Sequence, residues 1–277
     1  MKIIDAHVHF SELKAFSDAA RISGVDYSAA GFQAECIACG VVHAVGMGLV
    51  ENTSSAFPDN TSPSVMPCDL SNPPQLLSVC PGINPYTLDE NTISILEKMN
   101  IAGVKIYAGY YPIYVDDPIY DPIYTLMARL RKPVVIHTGG TYSERGLLKY
   151  SHPLTVDPLA VKFRDVNFML AHMGVPWVMD ACEVADKNRN VYLDMSGLIV
   201  GDAKEIERVM NEPLLTNPYR QGLLQLNQYN KILYGTDWPL VPMEPYINFC
   251  KMLIPETHWS KVFYENAANL FSLQECG

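Results

Sequence analysis

Eight short apolar runs, each ending in polar or turn-forming residues, set the tightest limit on how this 277-residue chain can fold. They are KIIDAHVHF (2–10), VVHAVGMGLV (41–50), LLSVCPGIN (76–84), GVKIYAG (103–109), PVVIHTGG (133–140), NFMLAHMG (167–174), NVYLDMSG (190–197) and KILYGTDWP (231–239). Runs this rich in Val, Ile and Leu mark strands covered on both faces, as in parallel sheets. Parallel strands need long crossovers, and helix-compatible stretches supply them: NTISILEKMN before strand 4, DPIYTLMARLR before strand 5, VMDACEVADKN before strand 7 and AKEIERVM after it. Eight such βα units predict one (β/α)8 TIM barrel spanning residues 1–277. With 48% hydrophobic residues, the chain can fill a core of that size.

The charge excludes some partners. A net charge of −10 and a pI near 5.1 argue against nucleic acid, whose phosphates need a basic surface. No apolar stretch reaches the roughly 18 residues of a membrane span, and Asp5 and His7 interrupt the N-terminus too early for a signal peptide. Seven scattered cysteines suit reduced thiols in the cytoplasm better than a disulfide framework. Cys36 and Cys39 form a CxxC, but it falls in a helix-like stretch without a second CxxC, so it is read as core filler. The expected partner is a small-molecule substrate, and the sequence leaves room for a homodimer.

Two segments break the βα rhythm. Residues 51–75 are rich in Pro, Ser, Asn and Asp, and residues 107–122 gather tyrosines and prolines after strand 4. Long βα loops lie on the catalytic face of such barrels and often cover the site. Both segments are therefore expected over the pocket, with Tyr110 and Tyr111 among the substrate-facing residues.

Strand ends carry the chemistry. His7 and His9 stand two residues apart, so alternation puts them on one face of strand 1, together with Asp5 and about 6.5 Å apart. Lys105 on strand 4, His137 on strand 5, His172 on strand 6 and Asp237 on strand 8 lie at the same C-terminal end. Imidazoles and a carboxylate are the donor set of zinc and its first-row neighbours. Asp194 and Ser196 fall at the end of strand 7, Trp177 and Trp238 follow the strand 6 and strand 8 motifs, and Glu144 and Arg145 occupy the loop after strand 5. Arg145 could bind a carboxylate, the two tryptophans could wall a pocket, and Asp5 could support the histidines.

DAHVHF, VVIHTGG, LAHMG and LYGTDWP, in this order, resemble the signatures of the amidohydrolase superfamily, and FYENAANLF (263–271) is similar to a closing helix of its amidohydrolase-related branch. That branch includes aminocarboxymuconate-semialdehyde decarboxylase and related metal-dependent decarboxylases and hydrolases. The resemblance implies His7, His9, His137 and Asp237 as ligands of one divalent ion, zinc or else manganese, with His172 as a catalytic histidine beside it. Asp237 would also take a proton from the attacking water. A binuclear variant of the superfamily implies the alternative of a carboxylated Lys105 bridging two ions, with His137 and His172 on the second. The resemblance implies a metal-dependent hydrolase of a small amide, ester or lactone. Non-oxidative decarboxylation of a small unsaturated or aromatic acid is the alternative, and a non-catalytic metabolite-binding barrel the third reading. Lys105, Arg145, Tyr110, Trp177 and Trp238 are the substrate-binding candidates.

Overall fold

The computed structural model describes residues 1–11, 13–50, 62–68 and 74–273. Its eight barrel strands are β1 (Ile3–Val8), β2 (Val41–Met47), β3 (Leu77–Cys80, resumed at Gly82–Ile83), β4 (Val104–Ile106), β5 (Val134–Ile136), β6 (Phe168–Leu170), β7 (Val191–Asp194) and β8 (Ile232–Leu233). Neighbours pair in parallel all the way from β1 to β8. β3 is split at Pro81, which has no N–H to give to a ladder. The ring closes where Ala6 N donates to Tyr234 O (2.9 Å), Asp237 N to His7 O (2.8 Å) and His9 N to Trp238 O (2.7 Å). The chain is a TIM barrel.

The expected crossover helices form at Glu90–Lys98, Asp121–Leu130, Val178–Lys187 and Ala203–Met210. Their starts follow from capping chemistry. Asp89 and Thr92 make a reciprocal capping box, and the Asp202 carboxylate accepts from Glu205 N. The CxxC lies in the helix Ala29–Cys39, where burial pushes the Cys39 thiol up to about 11 and the Cys36 thiol higher still. Neither thiol is paired, and both pack into the layer between strands and helices.

The strands are shorter than the apolar runs that announced them. His137 lies one residue past β5, while His172 and Asp237 lie beyond β6 and β8. His172 and Asp237 have φ of 63° and 67°, left-handed values that a strand does not contain. These side chains therefore sit on the turns that leave the barrel.

The simple alternation of β1 also fails. A bulge between Asp5 and Val8 shifts its register against β2. Ile4 and Ala6 consequently fall in the inner cluster with Val135, Met169 and Leu233, which the closing helix Asn266–Phe271 seals. Val8 and Phe10 pack in the outer cluster. Bulges re-aim side chains in this way next to active sites. Asp5 thus does not share the histidines' face. It is fully buried and accepts from His7 N (3.2 Å), Thr236 N (3.0 Å) and Thr236 Oγ1 (2.6 Å), binding the bulge to the turn after β8.

Asp5→Ala leaves those buried donors without their acceptor. An unsatisfied buried polar group costs roughly 1–3 kcal/mol, so chemical denaturation should show a loss of about 3 kcal/mol or more. A loss below about 1 kcal/mol would mean that water replaces the carboxylate.

Candidate active site

A cavity of about 270 Å³ opens at the C-terminal end of the strands, and His9, Lys105, His137, His172 and Asp237 line it. His7 is buried beside them, its ring centroid 5.3 Å from that of His9 and 5.0 Å from that of His172. The barrel has brought together the polar strand-end residues that the sequence singled out.

Two groups, His7–His9–Asp237 and His7–His172–Asp194, each have ligand atoms within 4.8 Å of one another. The Asp194 oxygens are already engaged by His7, His172 and Ser196, whereas His9 and Asp237 face the cavity. Nε2 of His9 is 3.0 Å and Nε2 of His7 is 3.4 Å from Oδ1 of Asp237. Yet that buried oxygen has no hydrogen-bond partner of good geometry. Burial holds both imidazoles below their usual range, hence neutral. Burial alone would raise Asp237, but the neighbouring His172 and His9 hold it well below the usual carboxylate range. Two neutral imidazoles and a carboxylate around an unsatisfied oxygen fit a divalent ion.

His137 stands outside this trio and meets His172 instead. A carbonyl can only accept, so Nε2 of His137 carries the proton it gives to Gly140 O (2.9 Å) and Nδ1 is left with a lone pair. His172 likewise uses Nδ1–H toward Ser196 O (3.1 Å), which leaves a lone pair on Nε2. These two lone-pair nitrogens face each other at 3.1 Å. Two acceptors at that distance repel unless a proton or a cation lies between them.

Lys105 is buried, with Nζ 3.4 Å from His7 Nε2 and 5.4 Å from the Tyr107 ring centroid. Burial brings its ammonium down to about 8, against the pull of Asp194 and Asp237. Among the described residues lining the cavity it is the single lysine or arginine. Asp194 lies behind the histidines. Its Oδ2 is 2.8 Å from His7 Nδ1, and its Oδ1 accepts from His172 N (3.0 Å) and Ser196 N (2.9 Å).

The substrate-binding candidates separate. Tyr110 lines the cavity, packs edge-on against His137 with centroids 4.9 Å apart, and accepts from Tyr142 N. Trp238 does not line it. Its ring is fully buried against Phe10, Phe32 and Tyr27, and Nε1 donates to Glu35. Trp177 packs on His152 and is also absent from the wall, and Glu144 and Arg145 are solvent-exposed. Of the tyrosine-rich segment only Tyr107 and Tyr110 reach the cavity, while Tyr111 is buried beside Tyr86. Most of the other expected cover, 51–61 and 69–73, lies outside the described residues.

The sequence reading missed the helix Lys14–Ser23, which brings Phe16 and Ala19 over the site, with Leu13 just ahead of it. Phe16 stacks on His9 at 4.4 Å. The signal was present as an amphipathic stretch directly after strand 1, whose apolar side had to cover something.

A family model described as Amidohydrolase matches residues 4–273. The chain belongs to the amidohydrolase family. Members of this family of enzymes bind a divalent metal, and the buried trio at the barrel mouth is where this chain offers ligands for one. No curated protein matches the sequence. Among solved structures, an uncharacterised TIM-barrel protein from Bordetella bronchiseptica is similar at 20% identity and TM-score 0.72, over 98% of this chain and 99% of that one. A probable 2-pyrone-4,6-dicarboxylic acid hydrolase from Acinetobacter baumannii matches at 16% identity and TM-score 0.62, over 99% and 100%. A dihydroxybenzoic acid decarboxylase from Polaromonas, solved with manganese and the inhibitor 2-nitroresorcinol, matches at 15% and 0.65, over 98% and 97%. At these identities the likenesses show the shared fold. No helix among the described residues is long and apolar enough to cross a membrane.

The trio makes a specific demand on this amidohydrolase. Elemental analysis of the purified protein should find about one divalent ion per chain, the count for one such site. His7→Ala, His9→Ala and Asp237→Ala should each lower that content. Full occupancy in all three variants would place the ion elsewhere.

Proposed function

We propose that this amidohydrolase is a metal-dependent hydrolase of a small, largely apolar amide, ester or lactone that carries at most one anionic group. Asp237 carries the reading. Its Oδ1 faces Nε2 of His7 and His9, while its Oδ2 lies 3.9 Å from Nδ1 of His172 at the cavity wall. One carboxylate can thus hold a ligand position and remain next to the reacting atoms. Gly197 keeps that space open, since a Cβ there would come within 2.8 Å of both Asp237 Oδ2 and His172 Nδ1.

His7, His9 and Asp237 would hold the ion, with His137 and His172 adjoining; zinc suits this donor set and manganese is the alternative. When bound, a divalent ion lowers the pKa of water toward about 7 and polarises the substrate carbonyl. Asp237 accepts a proton from the attacking water as its oxygen bonds to the carbonyl carbon, then passes that proton to the leaving nitrogen or oxygen. His172, whose Nε2 keeps a lone pair at the cavity wall, takes part in moving that proton toward the leaving group. Lys105 neutralises the substrate's anionic group, and Phe16 and Tyr110 pack against its apolar body. The unpaired state of the six described cysteines is in keeping with a cytoplasmic setting.

Lys105 also favours a second reading, non-oxidative decarboxylation. A lone buried cation beside His7 suits a single carboxylate. There the bond from carbon to the carboxylate would break to release CO2, and the carbon left behind would take a proton drawn from solvent and relayed through Asp237. Hydrolases and decarboxylases both occur among the structural relatives.

Product analysis separates the readings. With lactones, esters, amides and aromatic monoacids as trial substrates, hydrolysis incorporates one solvent ¹⁸O into an acid product. Decarboxylation evolves CO2 and places solvent deuterium on carbon. Uptake of ¹⁸O without CO2 supports the hydrolase, CO2 release assigns the second reading, and binding without turnover makes the barrel a metabolite binder. On whichever substrate is turned over, His172→Asn should keep the metal and lose at least roughly a hundredfold in rate, the scale of a lost proton-handling group. Loss of metal in that variant would instead make His172 a ligand.

A further inference from the structure

The carboxylate of Asp194 is fully buried and does not itself line the cavity, yet three elements of the site converge on it. Oδ2 is 2.8 Å from Nδ1 of His7 on β1. Oδ1 accepts from the backbone N of His172 (3.0 Å), the backbone N of Ser196 (2.9 Å) and the hydroxyl of Ser196. The ammonium of Lys105 contacts His7 instead. The two backbone N–H groups can only donate to Asp194, and an ionised carboxylate is the one side chain of this size that only accepts.

That requirement settles where the His7 proton is. Nδ1 must carry it to serve Oδ2. The Ser196 hydroxyl, 3.1 Å from the same nitrogen, cannot compete because its own proton goes to Oδ1. Nε2 of His7 is then left with its lone pair, aimed at Asp237 Oδ1 and Lys105 Nζ, each at 3.4 Å. Through His172 N the same carboxylate also fixes a residue held at φ 63°, a conformation a histidine rarely adopts without an outside hold.

We propose that Asp194 is a positioning residue that locks His7 in the Nδ1–H tautomer and so sets the affinity of the centre for its divalent ion. The inference rests on the reading of His7 as a ligand. It goes further in assigning metal affinity to a residue that touches neither metal nor substrate. The Asp194→Asn variant isolates this role. An amide offers one acceptor where the site presents donors on both sides. If its NH2 faces the amides of His172 and Ser196, it opposes two backbone donors and a hydroxyl. If it faces His7, it opposes one ring N–H, which can move to Nε2. The second arrangement is the less costly and keeps the backbone contacts, but it removes the lone pair from the ligand position.

The test uses the metal-stripped full chain and zinc or manganese alone. Chelator competition should show Asp194→Asn binding the ion at least about tenfold more weakly than the native chain, within the range for lost outer-sphere partners. ¹⁵N spectra of histidine-labelled protein should show His7 protonated at Nδ1 in the native chain and at Nε2 in the variant. Unchanged affinity in a folded variant overturns the proposal. So does a native His7 protonated at Nε2, a result that stands even if the variant fails to fold. If the native chain itself binds no ion, the ligand reading of His7 fails instead, and the two failures are told apart.

Discussion

The backbone pairing of β1 with the segment 234–238 is the constraint on which the rest of the site depends. Three hydrogen bonds, from Ala6 to Tyr234, from Asp237 to His7 and from His9 to Trp238, join the first and last strands of the barrel. The same bonds set His7, His9 and Asp237 side by side, although the chain separates them by almost its whole length. Closing the barrel and building the trio are thus one event. Asp5 reinforces it by taking both donors of Thr236, one residue before Asp237.

Around that seam the site is made of residues the regular fold does not accommodate. The bulge in β1 lets Ile4 and Ala6 fill the barrel interior while the histidines turn into its mouth. His172 and Asp237 take left-handed backbone conformations at the exits of β6 and β8. Such departures have a cost and persist where surrounding contacts over-determine them. Here those contacts are concentrated in buried carboxylates, with Asp5 on one side of β1 and Asp194 on the other. Lys105 adds a cation to a cavity lined otherwise mostly by the Asp237 carboxylate, histidines, aromatic rings and apolar side chains.

Much of this was legible in the sequence because both signals involved are local. Apolar runs separated by helix-compatible stretches report a parallel sheet directly, since each strand buries both of its faces. Polar residues at the ends of such runs identify the catalytic face, so His7, His9, Lys105, His137, His172 and Asp237 could be named before any coordinates. The motif order carried the family, and the match over residues 4–273 agrees with it. Capping residues such as Asp89 and Asp202 marked helix starts because their chemistry acts within a few residues.

What the sequence left open depended on direction. Trp238 follows Asp237 in the chain, yet neighbouring side chains diverge, and its indole belongs to the aromatic layer with Phe10 and Phe32. Periodicity put Asp5 with the histidines, and a bulge that no pattern announces sent it elsewhere. Phe16 reached the pocket because its helix folds back over β1, a matter of packing rather than of motif. The sequence by itself determined the barrel, its catalytic end and the kinds of group gathered there, because those follow from local hydrophobic pattern and residue chemistry. Only the tertiary structure decided which histidines pair, which carboxylate faces the cavity and which holds a ring from behind. Those outcomes rest on ångström-scale contacts between residues far apart in the chain.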